Sequence, residues 1–194
     1  MVVAAVPRSE PAYEPRNGDV VLQASRSVRS ALIRKASRSK YSHVGLIEVS
    51  PEGVFVIEAI APVSRTPWAQ WRARGEGGWA TVLRAKSLEA PVLRRVVAAA
   101  KRELGKPYDA RYRWDDERLY CSELVVKAFA RGADLSIGRQ EQVKSLELTA
   151  ADLKLAAKLG VSAEQSLVTP GSLATDEAFE VIAELPAGAS TPSP

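Results

Sequence analysis

The chain has one cysteine and one histidine in 194 residues. A lone cysteine excludes an internal disulfide, and one Cys with one His leaves no ligand set for a zinc site of the His/Cys kind. No apolar run reaches the roughly 18 residues that a membrane-spanning helix needs. There is no P-loop, no GxGxxG and no internal repeat. Residues 1–8 lack a positively charged n-region and are too short for a signal peptide, so a cytoplasmic protein is the default expectation. A periplasmic or secreted protein is the alternative if a leader was removed. Charge of one sign is also scarce: 27 Lys and Arg against 23 Asp and Glu give a net +4. That excess suits weak peripheral contact with anionic surfaces. It comes without the interleaved aromatic and basic strand pattern of a nucleic-acid binder, so no nucleic-acid partner is expected. Nothing in the composition calls for a cofactor or a metal.

What is present suits one folded domain. Hydrophobic residues make up 46% and charged residues 26% of the chain, enough length and apolar content for a real core. Residues 1–16 carry three prolines and read as an extended lead-in, residues 17–185 as a single domain, and residues 186–194 as a disordered Pro/Ser/Ala/Gly tail. After the turn signal Arg16-Asn17-Gly18-Asp19 comes a short buried strand over 20–24. A helix is expected over 25–39, with Ser25 or Ser27 as N-cap and an apolar stripe of Val28, Ala31 or Leu32, and Ala36. Its other face carries Arg26, Arg29, Arg34, Lys35 and Arg38, either a solvated side or a contact for phosphate or lipid headgroups. Residues 66–74 read as a short helix with Thr66 as N-cap and Pro67 at its first position, its Trp68 and Trp71 used for packing. A strand over 79–85 and a helix over 87–104, with Leu104 on its apolar stripe and Gly105 as C-cap, follow. Toward the C-terminus a helix over 148–159 capped by Thr149, a turn at 169–173 and a strand over 178–185 complete the series.

The cysteine stands at a chemically useful place. Residues 122–131 have the spacing of an amphipathic helix, with Leu124, Val125, Ala128 and Phe129 on one face. Cys121 then opens that helix, where free N–H groups and the positive end of the dipole stabilise an anion. A thiol there loses its proton more easily, and the thiolate is the nucleophile. The other reading is a small buried apolar residue. The aromatic and acidic segment running from Tyr108 through Trp114 to Glu117 leads directly into Cys121 and is a candidate wall of the approach to it.

The histidine falls in a strand pattern. Residues 43–49 and 54–60 are both β-rich and joined by Ser50-Pro51-Glu52-Gly53, a hairpin. If Val49 pairs with Val54, His43 lies opposite Ile60 and Glu58 points to the same face as His43. The two are then diagonal neighbours about 7–8 Å apart at the backbone, within reach of a long carboxylate side chain. A loop one residue shorter puts them on opposite faces. Such a carboxylate would fix the imidazole tautomer and stabilise the imidazolium.

Five segments occur in order: Gly18-Asp19-Val20-Val21-Leu22-Gln23, Lys40-Tyr41-Ser42-His43-Val44-Gly45, Val56-Ile57-Glu58-Ala59, Gly105-Lys106-Pro107-Tyr108-Asp109, and Tyr120-Cys121-Ser122-Glu123-Leu124-Val125. Together they resemble the circularly permuted NlpC-type cysteine hydrolases of the papain-like fold, in particular the YiiX/YebB-like group. The likeness covers residues 17–130, with a weaker match through Thr169-Pro170. It implies an α+β fold: a papain-like core in which an antiparallel sheet or small barrel packs against helices. It also implies Cys121 as nucleophile, His43 as general base and Glu58 as the orienting residue. Tyr120 borders the site in this resemblance, and Tyr41, Gln23, Tyr108 and Trp114 are further candidates for substrate-binding or site-lining positions.

The implied chemistry is acyl transfer to water through an acyl-enzyme, with no cofactor. The substrate is a small molecule, peptide or lipid bearing an amide, ester or thioester. Peptidase-like amide cleavage leads; lipid thioesterase, phospholipase or acyltransferase chemistry on the same site is the alternative. A catalytically silent module that binds lipid or peptide is the rival from outside enzymology.

Overall fold

The computed structural model describes residues 13–187. Most of the expected lead-in and all but the start of the expected tail lie outside the described residues. In chain order the elements are β1 (Val20–Gln23), α1 (Val28–Ala36), β2 (His43–Ser50), β3 (Gly53–Ala59), β4 (Val63–Pro67), α2 (Trp68–Arg74), β5 (Ala80–Ala85), α3 (Ala90–Lys101), α4 (Cys121–Ala133), β6 (Gln140–Gln142), α5 (Ala150–Lys158), β7 (Ser166–Val168), α6 (Pro170–Ala174) and β8 (Phe179–Leu185). Six strands form one antiparallel sheet in the order β4-β3-β2-β1-β5-β8. The fold is α+β, as expected, and the sheet is the antiparallel one.

Alternation along the strands divides the apolar residues between two faces. Val20, Leu22, Val44, Leu46, Ile57 and Leu83 belong to the main core, shared with Leu93, Val96 and Val97 of α3 and Leu124, Val125 and Phe129 of α4. Val21, Ile47, Val56 and Val82 face the other way, against Trp68 and Trp71 of α2. Those two indoles stack with centroids 5.4 Å apart, so they serve packing. A third, smaller cluster gathers Tyr112, Tyr120, Val143, Ala156 and Val161 around the start of α4 and receives Leu32 and Ile33 of α1. Helices α3 and α4 cross closely at Gly132, where a Cβ would lie 2.4 Å from the Val96 Cα.

Several expectations need correcting. Helix α1 is shorter than 25–39: the Ser27 hydroxyl caps it by accepting the Ser30 N–H, and Arg38 beyond its end sits at φ 48. Val28 does not belong to an apolar stripe; it is 71% exposed, because the inward face is set by Leu32, Ile33 and Ala36. Three cations of the basic face are ion-paired with neighbouring elements: Arg34 with Glu76, Lys35 with Asp152 and Arg38 with Glu147. Thr66 is not a helix cap. It lies in the edge strand β4, opposite Val56, and α2 starts after Pro67. That strand escapes a sequence reading because it is a polar edge strand ending in proline, which an edge tolerates. Leu104 is exposed, since α3 closes at Arg102, short of the expected end. Residues 170–174 form a short helix, α6, capped by the Thr169 hydroxyl, where a turn was expected.

Candidate active site

Cys121 is the first residue of α4, with Tyr120 as N-cap. The Glu123 carboxylate accepts the Tyr120 backbone N–H at 3.3 Å, which steadies the helix start. The Cys121 side chain is buried within the main core's edge. His43 opens β2 and Glu58 is the penultimate residue of β3. The hairpin register pairs Val49 with Val54 and Ser50 with Gly53. This is the register that brings the histidine and the carboxylate to one face: His43 Nε2 and Glu58 Oε2 are 2.6 Å apart. With Nε2 engaged, Nδ1 is the ring nitrogen left for Cys121, and interaction between the thiol and the imidazole is among the causes that raise His43 and lower Cys121.

Glu58 is completely buried and its second oxygen is also occupied. Oε1 accepts from the Thr66 hydroxyl at 2.5 Å and from the Arg74 guanidinium. Burial alone would raise this carboxyl, but His43, Thr66 and Arg74 together hold it below the usual carboxylate range. Burial likewise pulls the imidazole down, yet its bonds to Cys121 and Glu58 raise His43 to about 9. Burial pushes the thiol up; the His43 bond and charge, the Ser122 hydroxyl and the Val44 N–H bring it below its ordinary value. Each shift favours the charged form of its group: thiolate for Cys121, imidazolium for His43 and carboxylate for Glu58. The start of a 13-residue helix adds its own stabilisation of the thiolate.

Two cavities share Arg29 and Ile33 in their walls. One, of about 60 Å³, is almost wholly apolar, and Cys121, Tyr120, Leu32, Val143 and Leu167 are among its walls. The other is a cleft of about 260 Å³ on the His43 side, lined by Tyr108, Ser25, Ser42 and Ile60. Burial pushes the Tyr108 hydroxyl well above its ordinary value, and the charge of a Cys121 thiolate adds to that shift.

The structure thus brings Cys121, His43, Glu58, Tyr120 and Tyr108 together. It does not bring in three other candidates. Tyr41 donates its hydroxyl to Thr81 at 3.0 Å and packs against Trp79, lining neither cavity. Gln23 pairs with His43 in the ladder but donates to the Trp71 carbonyl at 3.2 Å and presses on Gly75, where a Cβ would come within 2.0 Å of its oxygen. Trp114 is 40% exposed; its ring edge rests on Tyr120 and Lys127 covers its face. Each of these side chains is tied to a partner of its own and lines neither cavity. Sequence reading missed Thr66 and Arg74, the partners of Glu58, and the cavity walls from residues 143–170. No local signal marks them, since their roles follow from which elements meet.

Among the described residues no three His, Cys, Asp or Glu side chains are grouped so that they could hold a metal ion. No helix among them is long and apolar enough to cross a membrane.

Comparison with known proteins identifies the family. Residues 14–183 match the family described as permuted papain-like amidase enzyme, YaeF/YiiX, C92 family. The chain is 36% identical over 164 residues to the uncharacterized protein YiiX of Escherichia coli K12, covering 82% of this chain and 81% of that protein. It also superposes on the crystal structure of a protein described as metalloprotein yiiX from Escherichia coli O157:H7. There the TM-score is 0.83 at 34% identity, over 89% of this chain and 98% of the other.

Proposed function

The chain belongs to the permuted papain-like amidase family of YaeF and YiiX, and on that premise we propose that it is a cysteine amidase acting through Cys121, His43 and Glu58. The observation that carries this reading is the buried His43–Glu58 pair, Nε2 to Oε2 at 2.6 Å, whose imidazole interacts with the Cys121 thiol at the start of α4. In this scheme the Cys121 thiolate adds to the substrate carbonyl carbon and the C=O electron pair moves to oxygen. The N–H of Cys121 at the helix start stabilises that oxyanion. Imidazolium His43 gives its Nδ1 proton to the leaving amine as the C–N bond breaks, leaving a thioester on the enzyme. His43 then takes a proton from water, hydroxide adds to the thioester, and the carboxylic acid departs with the thiolate restored. Glu58 keeps the ring oriented and the imidazolium stable throughout.

A second reading keeps the machinery and changes the bond to a lipid ester or thioester. The apolar cavity lined by Cys121 favours it, because the first few carbons of an aliphatic acyl chain are what walls enclosing about 60 Å³ would receive. An acyl amide satisfies both observations.

The test has two stages. Iodoacetamide labelling of Cys121 is followed against pH in wild type and His43→Ala. The expected wild-type titration lies well below about 8.5, the ordinary thiol value, and moves up in the variant. Hydrolysis of dodecanoyl amides, thioesters and esters is then compared with Cys121→Ala. Slow labelling unaffected by the histidine, with no turnover, would leave a silent binding module as the better reading.

A further inference from the structure

Helix α1 delivers Arg29 to the wall shared by the two cavities: it lines both the apolar cavity beside Cys121 and the cleft beside His43. Its guanidinium donates to the Ala110 carbonyl at 2.7 Å and to the Tyr112 hydroxyl at 3.3 Å, and it lies 5.6 Å from the centre of the Tyr112 ring. All of these partners are neutral. No aspartate or glutamate lines either cavity. On the same helix Arg34 and Lys35 each reach a carboxylate, as does Arg38 just beyond its end. His43, the other cationic group of the cleft, has Glu58. Arg29 is therefore a cation at the mouth of the site with no acidic counterpart among the described residues.

A guanidinium held by neutral acceptors is oriented while its charge stays unanswered, and its fork of N–H donors matches a carboxylate or phosphate. We propose that Arg29 binds an anionic group, carboxylate or phosphate, on the leaving-group side of an acyl substrate. The side follows from the two cavities. The apolar one can hold only the acyl part, so the polar part lies in the cleft with His43, which protonates the leaving group. This inference rests on the acyl-transfer reading above, and it narrows the substrate to amphiphiles with an apolar acyl group and an anionic amine or alcohol portion.

The experiment measures binding to the full chain carrying Cys121→Ala, by calorimetry at low and high salt. The probes are N-dodecanoylglycine, N-dodecanoyl-phosphoethanolamine and the neutral N-dodecanoylglycinamide. At least one anionic probe is expected to bind roughly ten-fold or more tightly than the neutral one. The tighter of the two identifies carboxylate or phosphate as the natural group. Adding Arg29→Gln should bring the ratio to about one, while Arg29→Lys, which keeps the charge, should retain part of it. Because Arg29 also ties α1 to Ala110, thermal melting accompanies each variant, and the lysine variant with the charged-to-neutral ratio of the parent decides the matter if the glutamine variant does not fold. Equal binding of all three probes, no binding of any, or a ratio untouched by Arg29→Gln would overturn the assignment. Turnover of the same probes by the wild type separates the two proposals. Charge preference without turnover refutes the hydrolase and keeps the anion site; turnover without preference does the reverse.

Discussion

Glu58→Gln is a nearly isosteric change with a large expected effect, and the reason is a matter of donors. Glu58 Oε2 faces His43 Nε2 at 2.6 Å, while Oε1 accepts from Thr66 at 2.5 Å and from Arg74. A guanidinium can only donate. The carbonyl oxygen of the introduced amide must therefore take the Arg74 side, and its NH₂ must face His43. An NH₂ there donates to Nε2, which forces the ring proton onto Nδ1, the nitrogen that faces Cys121. The neutral ring then has the wrong tautomer to act as base, and the imidazolium would meet donor against donor. The wrong tautomer costs roughly 10⁴ in kcat in a Ser-His-Asp triad, or about 5 kcal/mol of barrier at ~1.36 kcal/mol per decade. A similar loss in kcat/KM is expected here, read with a dodecanoyl amide or thioester. Alkylation of Cys121, which needs no substrate, should titrate upward toward the ordinary thiol range. The double variant Glu58→Gln with Arg74→Met tests the logic itself. Without the obligate donor the amide can turn over and accept from Nε2–H, so part of the lost reactivity should return. A single variant within ten-fold of wild type, or a double variant no better than the single, would refute the argument.

Two further predictions concern stability. Gly132→Ala places a methyl 2.4 Å from the Val96 Cα and 2.7 Å from the Arg95 carbonyl carbon, backbone atoms that cannot step aside. The α3–α4 contact must open, at a cost on the order of 1–3 kcal/mol in urea unfolding; an unchanged midpoint would mean the helices sit farther apart than described. Glu123, buried two residues after the thiol, has its carboxyl raised by burial to about 7, with Lys127 opposing the shift. A raised carboxyl leaves stability untouched below its unfolded value near 4.5 and costs progressively more until about 7. Glu123→Gln removes that titration. Its stability relative to wild type should rise across this window by something on the order of 2 kcal/mol in urea melts taken at several pH values. A difference that is flat or falls with pH contradicts the assignment.

How much of this was readable in the chain depends on how local each cause is. The periodicity after Cys121 predicts α4 and puts the thiol at its start, because an apolar face repeats within a few residues. Thr149 and Asp152 announce α5 with a capping pair three residues apart. The His43–Glu58 pair was legible only as one of two registers. Local propensity does not choose between them; the buried alternation of β2 and β3 does. Thr66 and Arg74 reach Glu58 because an edge strand and the end of a short helix fold beside β3, and neither carries a periodic signal. Tyr41 and Trp114 stand close in sequence to the reactive residues and Gln23 pairs with His43 across the ladder, yet each is drawn to a partner of its own. The sequence by itself determined the lone cysteine, the helix it opens, the single histidine and the order of the two. Tertiary structure decided the register that joins the histidine to its carboxylate, the pairing of three α1 cations with distant acids, and the unpaired Arg29 between two cavities. The physical reason is that the first set depends on neighbours along the chain, and the second on charges and walls contributed by segments far apart in it, as Lys35 and Asp152 are.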